Sequence, residues 1–181
     1  MAQAGWLPGP DGVLTKDGQR LHLRMLYGPN TSKVRERIAT VAQEEFRKLG
    51  VEVELQGLEW AAFLQAVKSP PFDWDMTVLG WASTVDPHWM YQVWTEQSIP
   101  ALNTGAYVNK RVEELFRLGA REFDRDRRKQ AYQEIQKIVA EDEPYIFLTM
   151  GKDYVGVNNR IGGIEVSPLG IGYNIEQWHV K

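Results

Sequence analysis

The stretch from Leu21 to Trp81, LHLRMLYGPNTSKVRERIATVAQEEFRKLGVEVELQGLEWAAFLQAVKSPPFDWDMTVLGW, decides the fold. Its first seven residues, Leu21 to Tyr27, alternate well enough for a strand. Gly28-Pro29-Asn30 ends that strand, and Thr31 or Ser32 is placed to cap a helix. The helix sets Val34, Ile38, Val41, Ala42, Phe46 and Leu49 on one stripe at the 3.6-residue period, and Gly50 supplies its C-terminal stop. Val51, Val53 and Leu55 then alternate with Glu52 and Glu54, the pattern of a half-buried strand. Trp60, Phe63, Leu64 and Val67 fall at i, i+3, i+4 and i+7 of a second helix, from Glu59 to about Lys68, which Pro70-Pro71 closes. Asp75 to Trp81 is short and nearly continuously apolar, as in a buried parallel strand. Strand–helix–strand–helix–strand with short, right-handed connections makes a parallel α/β layer.

On the N-terminal side, residues 1–20 read as loop. Pro8-Gly9-Pro10-Asp11-Gly12 and Lys16-Asp17-Gly18 are turn chemistry around the short Val13-Leu14. Met1 to Gly5, MAQAG, has neither a basic n-region nor an apolar h-region, so no secretory leader is read there. On the C-terminal side, 82–107 is irregular and aromatic, with a short helix expected after Pro87. Two strong helices follow. Asn109 caps one, with Val112, Leu115 and Phe116 inward; Asp124 caps the longer one, with Ala131, Ile135, Ile138 and Val139 inward. Pro144 opens an apolar strand, Tyr145 to Met150, and a second is expected at Tyr154 to Val157.

Composition narrows the function. The 181 residues carry 21 Lys and Arg against 24 Asp and Glu, a formal charge of −3. A whole-chain basic field for a nucleic-acid backbone is absent, and no nucleic-acid partner is expected. No apolar run reaches the roughly 18–20 residues that span a bilayer. Cysteine is absent, which excludes disulfides, thiolate metal sites and a Cys nucleophile. The glycines form neither a P-loop nor a dinucleotide fingerprint, and no Gly-x-Ser-x-Gly elbow occurs, so no cofactor is expected. Seven tryptophans are the unusual feature.

Candidate chemistry is sparse. His22, His88 and His179 lie far apart and form no spaced metal motif. His22 suits an exposed strand position. His88, beside Asp86, is either a base or a loop residue packed among aromatics. Asp73, Asp75 and Asp86 leave room for a glycosidase-type carboxylate pair, with no separation to be read from sequence. Glu44-Glu45, Glu113-Glu114 and Glu141-Asp142-Glu143 read as solvated faces, and Arg125-Asp126-Arg127-Arg128-Lys129 as an exposed helix start. The run Gly80-Trp81-Ala82-Ser83-Thr84-Val85-Asp86-Pro87-His88-Trp89-Met90-Tyr91 leaves the carboxyl end of the third strand, where open α/β sheets place ligands. Its aromatic planes offer contact area and Ser83, Thr84 and Asp86 offer polar anchors. The competing reading is that Trp81, Trp89, Tyr91 and Trp94 merely cover the sheet edge.

Ordered motifs then give the chain a resemblance. They are Ala4-Gly5-Trp6 with Gly12 and Lys16-Asp17-Gly18; Arg37-Ile38-Ala39 with Lys48-Leu49-Gly50-Val51-x-Val53; and Asp75 to Trp81 with Asp86-Pro87. Asn103-Thr104-x-x-Tyr107-x-Asn109, Arg128-x-x-x-Tyr132-x-x-Ile135-Gln136, Pro144-Tyr145 and Ser167-Pro168-Leu169 complete the order. From about Ala4 to Lys181 the sequence resembles the C-terminal part of extracellular solute-binding proteins of peptide/nickel-type ABC importers.

The resemblance implies a receptor, not an enzyme: two lobes joined by hinge strands close over a solute and dock on a membrane permease. The fold implied is a periplasmic-binding-protein-like (type II) second lobe, a βαβαβ core with added helices. Residues 1–20 would enter from a first lobe upstream of Met1, 21–143 would form the α/β second lobe, and 144–181 would return towards the first. Gly80, Trp81, Ala82, Ser83, Thr84, Asp86, Asn103 and Tyr107 are the implied ligand-binding residues, with no metal and no cofactor. In the family an Asp three residues after the motif Trp often meets a peptide's amino group. Thr84 stands there in this chain, so either Asp86 takes that role or the ligand lacks a free N-terminus, and oligosaccharides stay open beside oligopeptides. The location implied is periplasmic, or extracellular on a membrane-anchored lipoprotein. The rivals are a small hydrolase using Asp86 and His88 or a carboxylate pair, and an aromatic-faced interaction module. The apolar segment 144–181 is further expected to self-associate, or to fold back on its own lobe, where its parental partner strands are missing.

Overall fold

Turn chemistry in the first twenty residues builds a small sheet, which corrects the expectation of loop alone. After a 3-10 turn at Ala2–Ala4, Leu7–Pro8 (β1), Leu14–Lys16 (β2) and Gln19–Arg20 (β3) pair antiparallel in that order. Gly12 and Gly18 take positive φ, 83° and 79°, in the two reversals, a conformation glycine adopts without strain. Leu14 is buried and its N–H donates to the Gly50 carbonyl at 2.8 Å. Arg20 ties Asp11 at 2.6 Å and Glu52 at 3.2 Å. The computed structural model describes every residue except Asn30, Thr31, Ser32, Ser83 and Asp153, so the helix cap expected at Thr31 or Ser32 lies outside the described residues.

The parallel layer follows. His22–Tyr27 (β4), Lys33–Lys48 (α1), Glu52–Gly57 (β5), Trp60–Lys68 (α2) and Met76–Thr77 (β6) give a sheet of order β5-β4-β6, parallel throughout. Successive residues of the central strand face opposite sides. Met25 therefore joins Ala39, Val51, Val53 and Val78 under α1, while Leu26 joins Phe63 and Val67 under α2. Glu59 caps α2, its carboxylate accepting from the Ala61 N–H.

Two sequence expectations shift here. The buried face of α1 is Ile38, Ala39, Ala42 and Phe46, while Val34, Val41 and Leu49 are exposed. The small Ala39 lets the helix settle flush on the sheet, which rotates Val34 and Val41 out; Leu49 lies past the last helical residue. The third strand pairs over two residues rather than Asp75 to Trp81. Single bonds extend it at each end, Asp75 N–H to the Arg24 carbonyl and Val78 N–H to the Leu26 carbonyl. Beyond Val78 the neighbouring strand has ended at Tyr27, ahead of Gly28-Pro29, and among the described residues no strand continues alongside Leu79 to Trp81.

The remainder is helical, then has little regular secondary structure among the described residues. Pro87–Met90 is a 3-10 turn leading into Tyr91–Trp94 (α3), and Glu96–Ser98 is another 3-10 turn. Lys110–Arg121 (α4) and Arg125–Asp142 (α5) form a helical hairpin, capped by Asn109 and Asp124 as the sequence predicts. Val112, Leu115 and Phe116 of α4 meet the layer formed by Ala131, Tyr132, Ile135 and Val139 of α5, with Ile138 at its margin. The strands expected at Tyr145 to Met150 and Tyr154 to Val157 are absent among the described residues. Strand character needs a backbone partner, and no described strand runs beside this segment, so Ile146, Phe147 and Leu148 stay largely exposed. Pairing resumes only between Ile161–Gly162 (β7) and His179–Val180 (β8), antiparallel. There the buried Asn174 accepts from the Glu165 N–H and Trp178 Nε1 and donates to the Gly163 carbonyl at 2.7 Å.

The chain divides into two compact units, Met1–Trp81 with Pro100–Thr104, and Ala82–Ile99 with Gly105–Lys181. The boundaries read at 20/21 and 143/144 refer to lobes of a longer protein and return under the proposed function.

Candidate ligand-binding site

Within the first unit, Gly80 has open space around its α-carbon and Trp81 is half-buried, both just past the carboxyl end of β6. Asn103 is fully buried in the segment that returns to this unit. Asp73 and Asp75 are not a carboxylate pair aimed at a substrate. The Arg24 guanidinium bonds Asp73, and the Arg24 N–H donates to Asp75 at 2.7 Å.

Within the second unit, Ala82 is exposed, Thr84 Oγ1 donates to the Asp86 carbonyl at 3.1 Å, and Ser83 lies outside the described residues. Asp86 caps the Pro87–Met90 turn, its Oδ1 accepting from the His88 N–H at 2.8 Å. Arg128 Nη2 reaches both Asp86 oxygens, at 2.8 and 2.9 Å. The His88 hydrogen bond, and then the guanidinium, hold the Asp86 carboxyl below the usual carboxylate range. Arg128 also donates from Nε to the Gly119 carbonyl at 2.9 Å and lies 5.0 Å above the Tyr132 ring. The Tyr132 hydroxyl is 3.0 Å from His88 Nδ1, and the His88 ring stacks on Tyr91. His88 is therefore a packed aromatic-cluster residue, the second of its two readings.

Tyr107 donates its hydroxyl to Asp142 at 2.6 Å, and Asn109 donates to the same oxygen at 2.8 Å while capping α4. Burial, then the Asp142 bond, pushes the Tyr107 phenol far above its ordinary value. Tyr107, Tyr145 and Phe147 surround Trp94, with ring centroids 5.9, 4.6 and 6.3 Å away.

The partners of these residues are what the sequence does not show. Arg128 belongs to a run that reads as an exposed charged face, yet its i, i+4 spacing to Tyr132 places both on one side of α5. Asp142 is exposed, as its acidic run predicts, and still accepts from Tyr107 and Asn109. Among the described residues no group of three or more His, Asp or Glu could hold a metal ion, and no helix is long and apolar enough to cross a membrane.

These features define a class: the chain is mixed α/β, built on a parallel unit of order β5-β4-β6, and its structural neighbours are periplasmic binding proteins of the peptide/nickel type. The chain belongs to the bacterial extracellular solute-binding proteins, family 5, whose middle-region pattern matches residues 1–100. It is 33% identical over 180 residues to the oligopeptide-binding protein AppA of Bacillus subtilis, covering 98% of this chain and 33% of that protein. The solved structure of the oligopeptide-binding protein AppA from Bacillus subtilis in complex with a nonapeptide superposes with a TM-score of 0.77 at 32% identity, over 99% of this chain and 36% of that one. NikZ from Campylobacter jejuni in complex with Ni(L-His) also gives 0.77, at 25% identity, over 99% of this chain and 37% of that one. The chain thus spans about a third of the length of these relatives.

Proposed function

We propose that this chain is the second-lobe portion of a longer solute-binding protein that captures oligopeptides for an ABC importer. The observation that carries the reading is the near-complete superposition, at 32% identity, on a protein solved with a nonapeptide. In this reading residues 1–20 enter from a first lobe and 144–181 return to it. The exposed apolar run at Ile146, Phe147 and Leu148 supports such a return. Ligand contact falls to Gly80, Trp81 and Asn103 of the first unit and to Ala82, Ser83, Thr84 and Tyr107 of the second, with Asp86 beside them. The protein binds its solute and releases it unchanged to a permease, outside the cytoplasm, as a membrane-anchored lipoprotein or in the periplasm.

The hydrolase reading loses support from the same geometry. The Asp86 carboxylate engages Arg128, and the His88 ring engages Tyr132 and Tyr91, so the two do not form an acid–base relay. The test is calorimetric titration of the product of the whole reading frame with a pool of random nonapeptides and, separately, with oligosaccharides. Saturable binding of intact peptide supports the proposal. Binding of oligosaccharide alone redirects the substrate class, and peptide cleavage overturns it.

A further inference from the structure

We infer that Asp86 and Arg128 form a clasp that positions Thr84 and, with it, Ala82, so that Asp86 is a positioning residue rather than a ligand contact; this rests on the ligand-binding assignment of those residues. Every observation comes from the second unit. The Asp86 carboxylate meets Arg128 through both oxygens and holds the His88 N–H as well. Its negative charge is thus compensated before any ligand arrives, and a ligand cation would have to displace a guanidinium already in place.

The guanidinium is itself fixed. Nε is bonded to the Gly119 carbonyl on α4, and its face rests on Tyr132 of α5. Tyr132 closes the circuit through its hydroxyl to His88 Nδ1, two residues from Asp86. Gly119 makes this approach possible, since a Cβ there would lie 2.8 Å from Tyr132 Cζ. The exposed residues Thr84, Val85 and Asp86 are therefore anchored at one end on the helical hairpin. Thr84 hangs on that anchor by its hydroxyl bond to the Asp86 carbonyl. The result is a segment presenting backbone groups and a hydroxyl to a ligand, with its carboxylate turned to the scaffold.

The experiment uses the 181-residue chain labelled with 15N, in wild-type form and as Asp86→Asn, Arg128→Gln, the double variant and Arg128→Lys. Amide shifts and hydrogen exchange of Ala82 and Thr84 are read without ligand. The clasp predicts that each of the first two variants moves both amides and speeds their exchange at least tenfold. The double variant adds nothing further, because the pair acts as one device. Arg128→Lys, which keeps a cation for Asp86 but cannot make the Nε bond to Gly119, restores part of the protection. Unmoved Ala82 and Thr84 amides, or additive effects in the double variant, overturn the inference. Should Arg128→Gln fail to fold, Arg128→Lys and Asp86→Asn still decide it by the same amides. Nonapeptide titration of the longer protein is run in parallel. A pool that binds no version defeats the binding assignment, whereas unaltered affinity in a folded Asp86→Asn variant with displaced amides defeats the positioning role.

Discussion

Asp86 shows most clearly what a residue's partners decide. Its folded carboxyl is held down by the His88 N–H and by Arg128, so its stabilising contribution belongs to the charged form. Protons bind the unfolded carboxyl more readily than the folded one. The contribution is therefore complete above the free carboxylate value of about 3.9 and disappears as pH falls through the lower folded value. Urea denaturation of wild type and Asp86→Asn should show a stability gap at about pH 6 that closes towards about pH 2. A gap of the same size at both ends would contradict the account. The sequence places Asp86 in the loop that follows the third strand, because Asp before Pro-His is turn chemistry. It did not reveal Arg128, which stands 42 residues away; pairing over that distance is set by how α5 packs.

Among the elements, the helices were legible and several strands were not, for the same reason. Helix bonds are local, so Asn109, Asp124 and the inward stripes of α4 and α5 fix those elements from within. A strand takes its bonds from elsewhere. The alternating Val51, Val53 and Leu55 find β4 beside them and form β5, whereas Tyr145 to Met150, with stronger apolar character, pair with no strand among the described residues. The α4–α5 contact yields a prediction at this scale. Alanine is intrinsically better than glycine in a helix by about 1 kcal/mol, but at Gly119 the added methyl meets a Tyr132 ring end held by Arg128 and His88. Gly119→Ala should lower stability by about 1–3 kcal/mol. A melting temperature equal to or above wild type would show that Tyr132 yields cheaply.

At the scale of the whole chain, two segments matter: the tail and the proposed ligand segment. Tyr145 and Phe147 rest against Trp94, while Ile146, Leu148, Met150 and Tyr154 remain exposed. Apolar backbone without ladder partners favours association. Light scattering should give a mass above one chain for residues 1–181 and a single-chain mass once 144–181 is removed. One-chain masses for both would show that the tail does not associate. The proposed binding segment is legible in the sequence only as a place, a strand end rich in aromatics; the surroundings of its individual residues depend on partners far along the chain. The central claim is that the protein holds an intact peptide with the help of Trp81. Its most direct test is calorimetry of the whole reading frame's product against the nonapeptide pool, with and without Trp81→Ala. The account predicts saturable binding without cleavage, weakened by about 1–3 kcal/mol, roughly 5- to 150-fold, in the folded variant. Equal affinity in a folded Trp81→Ala protein, or no peptide binding by the wild type, would contradict it.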